Sequence, residues 1–337
     1  FKDKFIFTAT MLVLSNCGGG GGGGSSSSTS TSTTNQTSGE TIIAGNVIKG
    51  PLQNALVFSD YNGDGILSQG EPSTRTAVDG SFSISSTNAS SSIVSITDNQ
   101  TIDTLTGKNI AGLVMRANSG STVITPFTSL LAELKEENPA IQDNQVAIAL
   151  GLPNIDLKTF NPFGENVVSS IKLIAEKVAS QIIATTIAVA ETAKGSGVNS
   201  NIAYEKAFES ISAAIEEEIN DGNSNDSVNF TDNQVLNKIE SVAKSKFATD
   251  VSSQQAFESV LSEAIVAADN VNEKLQEITD ITESSSTATL SLTTDLSDQV
   301  FKAAQAETSL TGSGSISFAD TNNVDAAIDK NTVTETS

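Results

Sequence analysis

One stretch of twelve residues, beginning at Asp60 and ending at Glu71, places oxygen-bearing side chains at a spacing that suits a metal ion. Asp60, Asn62 and Asp64 alternate along it. Gly65 occupies the sixth position, and Glu71 closes the stretch at the twelfth. This order matches the calcium-loop pattern D-x-[DN]-x-[DN]-G-x5-E at every specified position. Alternating oxygens converge on one point, and glycine permits the sharp turn between them.

Calcium is the ion that this pattern favours, because Ca²⁺ takes six to eight oxygen ligands in a flexible geometry. Magnesium is disfavoured, since it retains its waters and requires strict octahedral geometry. An acidic, glycine-rich surface turn is the alternative interpretation, and it requires all the specified positions to match by chance. The predicted ligands are Asp60, Asn62, Asp64, the backbone carbonyl of Ile66, Ser68 directly or through a water, and Glu71.

Composition excludes several other chemistries. The net charge is -22, from 40 acidic and 18 basic residues, which argues against nucleic acid and against basic docking to anionic lipid. The chain has no histidine, so serine–histidine and cysteine–histidine nucleophiles and histidine-based metal sites are excluded. Paired carboxylates within 133–137 or 216–218 could in principle hydrolyse glycosides, but we interpret them as solvated helix faces. We therefore predict no catalytic residues and no enzymatic activity.

The beginning of the chain has the pattern of an export signal. Lys2 and Lys4 precede a mostly apolar stretch over 5–14, which is shorter than a bilayer span. Leu14-Ser15-Asn16-Cys17 and seven glycines follow. This segment resembles the bacterial lipobox, which implies removal of residues 1–16 and a lipid anchor on Cys17. A cleaved signal with an unrelated cysteine is the alternative.

The lipobox resemblance also implies an address. Gly18 after the cysteine is typical of outer-membrane lipoproteins in a Gram-negative host, so the predicted partner is the membrane, and the protein would face outside or the periplasm. Residues 17–40 are almost entirely Gly, Ser and Thr, and they cannot bury enough apolar surface to order themselves. We expect them to form a flexible tether.

Residues 41–118 alternate between apolar and polar positions, as strands do. Asp79-Gly80 has the composition of a hairpin turn. No EF-hand is expected around the calcium loop, because a strand precedes it and Pro72 follows Glu71. The predicted strands are 42–48, 55–59, 81–85, 92–97 and 109–115.

The same region resembles a known class of bacterial surface domain. The residues that carry the resemblance are Gly45, Val47, Gly50-Pro51-Leu52, Ala55, Val57-Phe58, Thr76, Asp79-Gly80, Phe82 and Ile84. They are similar to those of transthyretin-like, carboxypeptidase-regulatory-like β-sandwich domains, and the loop resembles that of serine-aspartate-repeat adhesins. The resemblance spans about residues 45–115, and it implies a β-sandwich with calcium as a structural ion.

Residues 119–280 have helical periodicity. Thr125 and Pro126 form a helix start, and Asp143 is expected to cap the next helix. A second EF-hand-like spacing runs from Asp221 to Asp232, but Asp226 stands where such a loop needs glycine and the closing residue is Asp rather than Glu. We therefore favour a solvated loop with a Thr231-x-x-Gln234 capping box over a second metal site. The predicted helices cover 126–137, 144–150, 167–194, 202–219, 232–247 and 253–279.

Residues 281–337 return to Ser/Thr alternation, which predicts a β-like or partly disordered tail. The fold class is therefore α+β, with a β-sandwich followed by a helical bundle. The leading functional hypothesis is a structural or adhesive surface protein with a protein or glycan partner. A ligand-capturing lipoprotein, binding a solute or glycan between the strands and the helices, is the alternative.

Overall fold

The computed structural model of the chain describes residues 39–220, 227–309 and 314–332. The predicted signal over 1–16, the predicted lipid anchor at Cys17 and nearly all of the predicted tether lie outside the described residues. Within them, short strands come first and helices follow. The α+β prediction is confirmed at this level.

Ten short strands occupy the chain up to Ile124, and four of the five predicted strands are confirmed to within about two residues. The fifth, predicted over 109–115, is wrong as a single strand, because a loop divides it in two. The strands are β1 (Thr41–Val47), β2 (Leu52–Gln53), β3 (Leu56–Asp60), β4 (Ser73–Arg75), β5 (Ser81–Ser86), β6 (Ser92–Ile96), β7 (Ile102–Asp103), β8 (Lys108–Asn109), β9 (Val114–Ala117) and β10 (Val123–Ile124).

These strands form three small sheets. One sheet has the order β10-β1-β5, with β1 antiparallel to β5 and parallel to β10. A second has the order β4-β3-β6-β9 and is antiparallel throughout. The third, β2-β7-β8, consists of two-residue strands. In β5, Phe82 and Ile84 are buried while Ser83 and Ser85 face solvent, as the alternation predicted.

The turn at Asp79-Gly80 is present, but its predicted role as a hairpin is wrong. Ala77 N donates to Ser81 O over 2.8 Å, which closes the turn. The turn joins β4 to β5, and these strands belong to different sheets. Gly80 has a φ of +78°, and a Cβ there would lie 2.7 Å from Val47 O, so the chain requires glycine at this crossing.

Helices make up most of the described chain after β10. A short 3-10 helix at Ser317–Ala319 precedes the last of them. The α-helices are α1 (Pro126–Glu137), α2 (Asp143–Ala149), α3 (Ser169–Gly195), α4 (Ser200–Asn220), α5 (Asn233–Lys246), α6 (Gln254–Gln276), α7 (Glu283–Thr308) and α8 (Thr321–Thr332).

Local capping signals fix several helix starts. Thr125 caps α1 with its side chain, which accepts from Thr128 N over 3.1 Å, and Pro126 occupies the first helical position as predicted. The capping role predicted for Asp143 is wrong: Asp143 is the first residue of α2, and Gln142 is the cap. The Asp143 carboxylate instead pairs with the side chains of Lys135 and Lys158.

The long helix α3 is the centre of the helical part. It packs against α4, α6 and α7, and its second half is buried almost all round. By length and composition alone α3 could cross a membrane, but 72% of its apolar window is buried inside the fold. This is the expected position of the core helix of a bundle. One continuous cluster of buried apolar side chains joins the strands to the helices, from Val47 to Val324.

The prediction of a β-like tail after residue 281 is wrong for the described part of that segment. Thr282 and Ser285 form a capping box that starts α7. Leu292, Leu296 and Val300 recur every four residues and are buried. Their packing on α3 outweighs the weak strand preference of the surrounding Ser and Thr residues.

Candidate metal centre

The predicted calcium loop connects two neighbouring antiparallel strands. It begins at Asp60, the last residue of β3, and ends just before β4. Asp60 is only 4% exposed, because its strand is the second of four in its sheet. The loop therefore rises from a rigid base, and the residues beyond Asp60 extend toward solvent.

Asp60 organises the first half of the loop. Its Oδ1 accepts from Gly63 N over 2.8 Å, and its Oδ2 accepts from Gly65 N over 2.9 Å. Gly63 and Gly65 have φ values of +75° and +67°, a left-handed region that costs other residues free energy. The two glycines thus allow the chain to fold around one carboxylate, as the pattern predicted for the sharp turn at Gly65.

Glu71 holds the two ends of the loop together. Its Oε1 accepts from Tyr61 N over 2.8 Å, and its Oε2 accepts from Ser68 N over 2.7 Å. Both oxygens of this carboxylate therefore face the interior of the loop. The predicted closing ligand therefore links the backbone at Tyr61, near the start of the loop, to the backbone at Ser68, near its end.

Asn62 and Asp64 lie at the exposed tip. Asn62 Nδ2 donates to Asp64 Oδ2 over 2.8 Å, and Asp64 Oδ1 accepts from Ile66 N over 2.8 Å. Asn62 Oδ1 accepts from Asp64 N over 3.2 Å. In this arrangement the two side chains satisfy each other and the local backbone.

The donor set fits calcium in kind. Asp60, Asp64 and Glu71 bring three carboxylates into one loop, and a carboxylate oxygen that accepts one N–H retains a further lone pair. The arrangement is not that of a closed coordination sphere: in the described parts of the chain, no group of three His, Cys, Asp or Glu side chains lies close enough to hold an ion. Binding would require the Asn62 and Asp64 side chains to turn inward.

Two contacts anchor the loop to the rest of the protein. Tyr61 places its hydroxyl 3.1 Å from Ser86 Oγ at the end of β5, and Thr87 N donates to the same hydroxyl over 3.1 Å. These bonds lower the pKa of Tyr61, the Ser86 contact most. Asn201 in α4 donates from Nδ2 to Gly65 O. Neither contact could be predicted from the sequence, because Ser86 is 25 positions from Tyr61 and Asn201 is 136 positions from Gly65.

The Asp221–Asp232 segment, weighed as a metal loop and favoured as a solvated loop, is described only from Ser227 onward. Residues 221–226, including Asp221, lie outside the described residues. Asp232 caps α5, and its Oδ1 accepts from Gln234 N over 2.7 Å. The predicted capping box at Thr231 is therefore wrong by one residue. Asp232 is explained by this helix start, which needs no metal.

A buried ion pair lies where a solvated helix face was predicted. Glu133 is 1% exposed, and its Oε2 lies 2.6 Å from Arg116 Nη2. Burial raises the pKa of Glu133 well above its usual range, and Arg116 opposes that shift. Glu133 Oε1 has no hydrogen-bond partner among the described residues. The prediction is wrong for Glu133, because β9 carries Arg116 onto the start of the bundle.

Comparisons with known proteins assign no family. No protein-family model, no curated protein and no solved structure matches the chain. The functional argument therefore depends on the loop's own geometry and on the chemistry of the residues around it.

Proposed function

We propose that this chain is a lipid-anchored surface protein of structural or adhesive role, in which the Asp60–Glu71 loop takes up a structural calcium ion. The observation that carries the proposal is the pair of end carboxylates. Asp60 and Glu71 already fold the loop around themselves through four backbone N–H groups. A cation placed between them would offset the repulsion of three carboxylates in one short loop.

The stabilisation that calcium adds follows from mass action. Extracellular calcium modules bind with dissociation constants of about 10⁻⁴–10⁻³ M. At about 1 mM calcium, a site of that affinity stabilises the folded state by roughly 0.4–1.4 kcal/mol. Such a site is filled outside the cell and empty at the far lower calcium concentration inside, so its ion suits an exported protein.

The cellular part of the proposal depends on the sequence. The lipobox-like segment at Cys17 supplies the anchor, and the Gly/Ser/Thr tether would hold the folded part away from the membrane. The acidic surface suits a structural or adhesive partner of protein or glycan nature. A transthyretin-like sandwich remains the proposed identity of the strand region, supported by its two larger sheets.

A thermal melt of the full chain tests the calcium site. The melt is recorded in 2 mM calcium and in EGTA for the wild type, Asp64→Ala and Asp79→Ala. Asp79 is an exposed aspartate outside the loop, so it is the matched control. We expect calcium to raise the Tm of the wild type and Asp79→Ala by about 1–4 °C, and to leave Asp64→Ala unchanged. Equal shifts in all three proteins, or none in the wild type, would sink the assignment.

A ligand-capturing function is the second candidate, and one observation favours it. A cleft between the strands and the helices collects charged groups of both signs. That position is where the alternative hypothesis requires a binding site.

A further inference from the structure

The cleft lies where three parts of the fold meet. The turn after β1 and strand β7 form one wall, α3 forms the second, and the segment leading into α7 forms the third. Cleft and open mouth together hold about 410 Å³, near the lower end for ligand pockets, and the inner part has room for only a few heavy atoms. The lining residues that matter are Lys49, Asp103, Glu176, Lys177, Ser180 and Thr289.

Lys49 is the most unusual of these residues. It is only 8% exposed, yet it makes no hydrogen bond and no ion pair with any residue in the described ranges. A mostly buried lysine without a partner is uncommon, because charged side chains that leave bulk water are normally paired. An acceptor placed in the cleft would satisfy it.

Two carboxylates share the cleft with this ammonium group. Asp103 is 3% exposed, and its Oδ1 accepts from Leu105 N over 2.9 Å and Thr106 N over 3.3 Å, which leaves Oδ2 for another partner. Burial raises the pKa of Asp103, and it raises the pKa of Glu176 to about 7, while the charge of Lys49 opposes both shifts. The positive charge of Lys49 thus lowers the pKa of both carboxyls, although Lys49 forms an ion pair with neither of them.

The charges decide which class of ligand fits. A simple anion would meet the carboxylates of Asp103 and Glu176, and a simple cation would meet Lys49 and Lys177. A molecule with one group of each sign would pair with both. The hydroxyls of Ser180 and Thr289 line the same space, and Thr289 Oγ1 donates to Ser285 O over 2.9 Å, so its lone pairs can still accept.

We propose that this cleft binds the ammonium–carboxylate head group of a small zwitterion, an α-amino acid. Its carboxylate pairs with Lys49, and its ammonium group pairs with Asp103 and Glu176. The narrow interior holds the head group alone, and the amino-acid side chain extends toward the mouth, where Asp280 is exposed. The predicted calcium loop contributes no residue to the lining of this cleft, so the site does not depend on that loop.

Isothermal titration calorimetry of the full chain tests the site. The titrations use glycine, L-alanine, acetate and methylammonium at pH 8 in EGTA, so that the calcium proposal cannot affect the result. We expect saturable binding of both amino acids, at least tenfold tighter than that of acetate or methylammonium. Absence of saturable binding of either amino acid, or equal binding of acetate or methylammonium, would overturn the proposal.

Variants connect the binding to the residues. Lys49→Met and Glu176→Gln should each weaken amino-acid binding at least tenfold, while Lys302→Met, an exposed lysine on α7, should leave it unchanged. Unchanged affinity in both cleft variants would place the ligand elsewhere and contradict the proposal. Circular dichroism shows whether each variant folds. If Lys49→Met does not fold, Glu176→Gln, which keeps the size of the side chain, still tests whether the ligand binds in the cleft.

Discussion

Asn201, the second residue of α4, donates a hydrogen bond from its side-chain amide to the backbone carbonyl of Gly65 in the candidate calcium loop. A Cβ on Gly65 would lie 3.7 Å from Asn201 Cβ, so the loop and the start of α4 come into close contact at this point. The loop is therefore attached to the helical part as well as to its own strands. A change in loop conformation on cation binding would be transmitted to the start of α4.

Removing this attachment should weaken both folding and the response to calcium. We expect Asn201→Ala to lower the free energy of unfolding by about 1 kcal/mol, the usual value of one hydrogen bond, and to reduce the calcium-induced rise in Tm. Urea denaturation with and without calcium measures both. Asn144→Ala is the matched control, since Asn144 is an exposed second residue of α2. A loss as large in the control would show that the Asn201 contact contributes nothing.

The left-handed backbone at Gly65 provides a second test. Gly65→Ala should cost about 1–2 kcal/mol of backbone strain and should also abolish the calcium-induced shift, because the turn organises the ligands. Gly107→Ala separates these effects: Gly107 has a nearly equal φ of +65° and open space around it, at the turn between β7 and β8. We expect Gly107→Ala to destabilise the protein about as much as Gly65→Ala does, but to retain the calcium-induced rise in Tm. A normal shift in Gly65→Ala would contradict the role given to the turn.

Stability should depend on pH through Glu176. Its pKa is raised from 4.5 to about 7, chiefly by burial, so between these values the folded state binds more protons than the unfolded state. Stability contributed by the protonated carboxyl is therefore lost as pH rises from about 4.5 through about 7. Glu176→Gln, which stays neutral at position 176, should lose less stability between pH 5 and pH 8 than the wild type does. Part of the pH dependence remains in both proteins, because the pKa of buried Glu133 is also raised. An identical pH profile in both proteins would argue against this assignment.

Close packing between α3 and α7 predicts that even the small substitution Gly195→Ala lowers the free energy of unfolding. A Cβ on Gly195 would lie 2.6 Å from both Ala304 Cβ and Phe301 O, so the helices would have to separate. Overpacking of this kind typically costs about 1–3 kcal/mol, which exceeds the gain of roughly 1 kcal/mol in helix propensity. Gly195→Ala should therefore lower the urea midpoint, whereas Lys302→Ala on exposed α7 surface should not. A higher urea midpoint for Gly195→Ala would show that α3 and α7 can separate at little cost in free energy.

Features set by neighbouring residues could be predicted from the sequence. Thr125 and Pro126 fixed the start of α1, and the alternation of Phe82 and Ile84 identified β5 with its buried face. The glycines of the loop predicted its tight turn. Each of these depends on interactions within a few positions along the chain.

Features set by distant residues could not be predicted. The burial of Glu133 depends on Arg116 from β9, and the attachment of the loop depends on Asn201 in α4. The strand-like composition before Leu292 gave no sign of helix α7, because its helical state comes from packing on α3.

The enclosure of α3 by α7 determines the order in which the chain can fold. Helix α7 begins more than a hundred residues after α3 begins, so an emerging polypeptide exposes one apolar side of its central helix until α7 has been synthesised. Contacts between such distant segments form slowly, and exposed apolar surface invites aggregation meanwhile. Shielding of this side of α3 therefore requires chain that follows it by more than a hundred residues, so a truncation before α7 would leave the apolar side exposed.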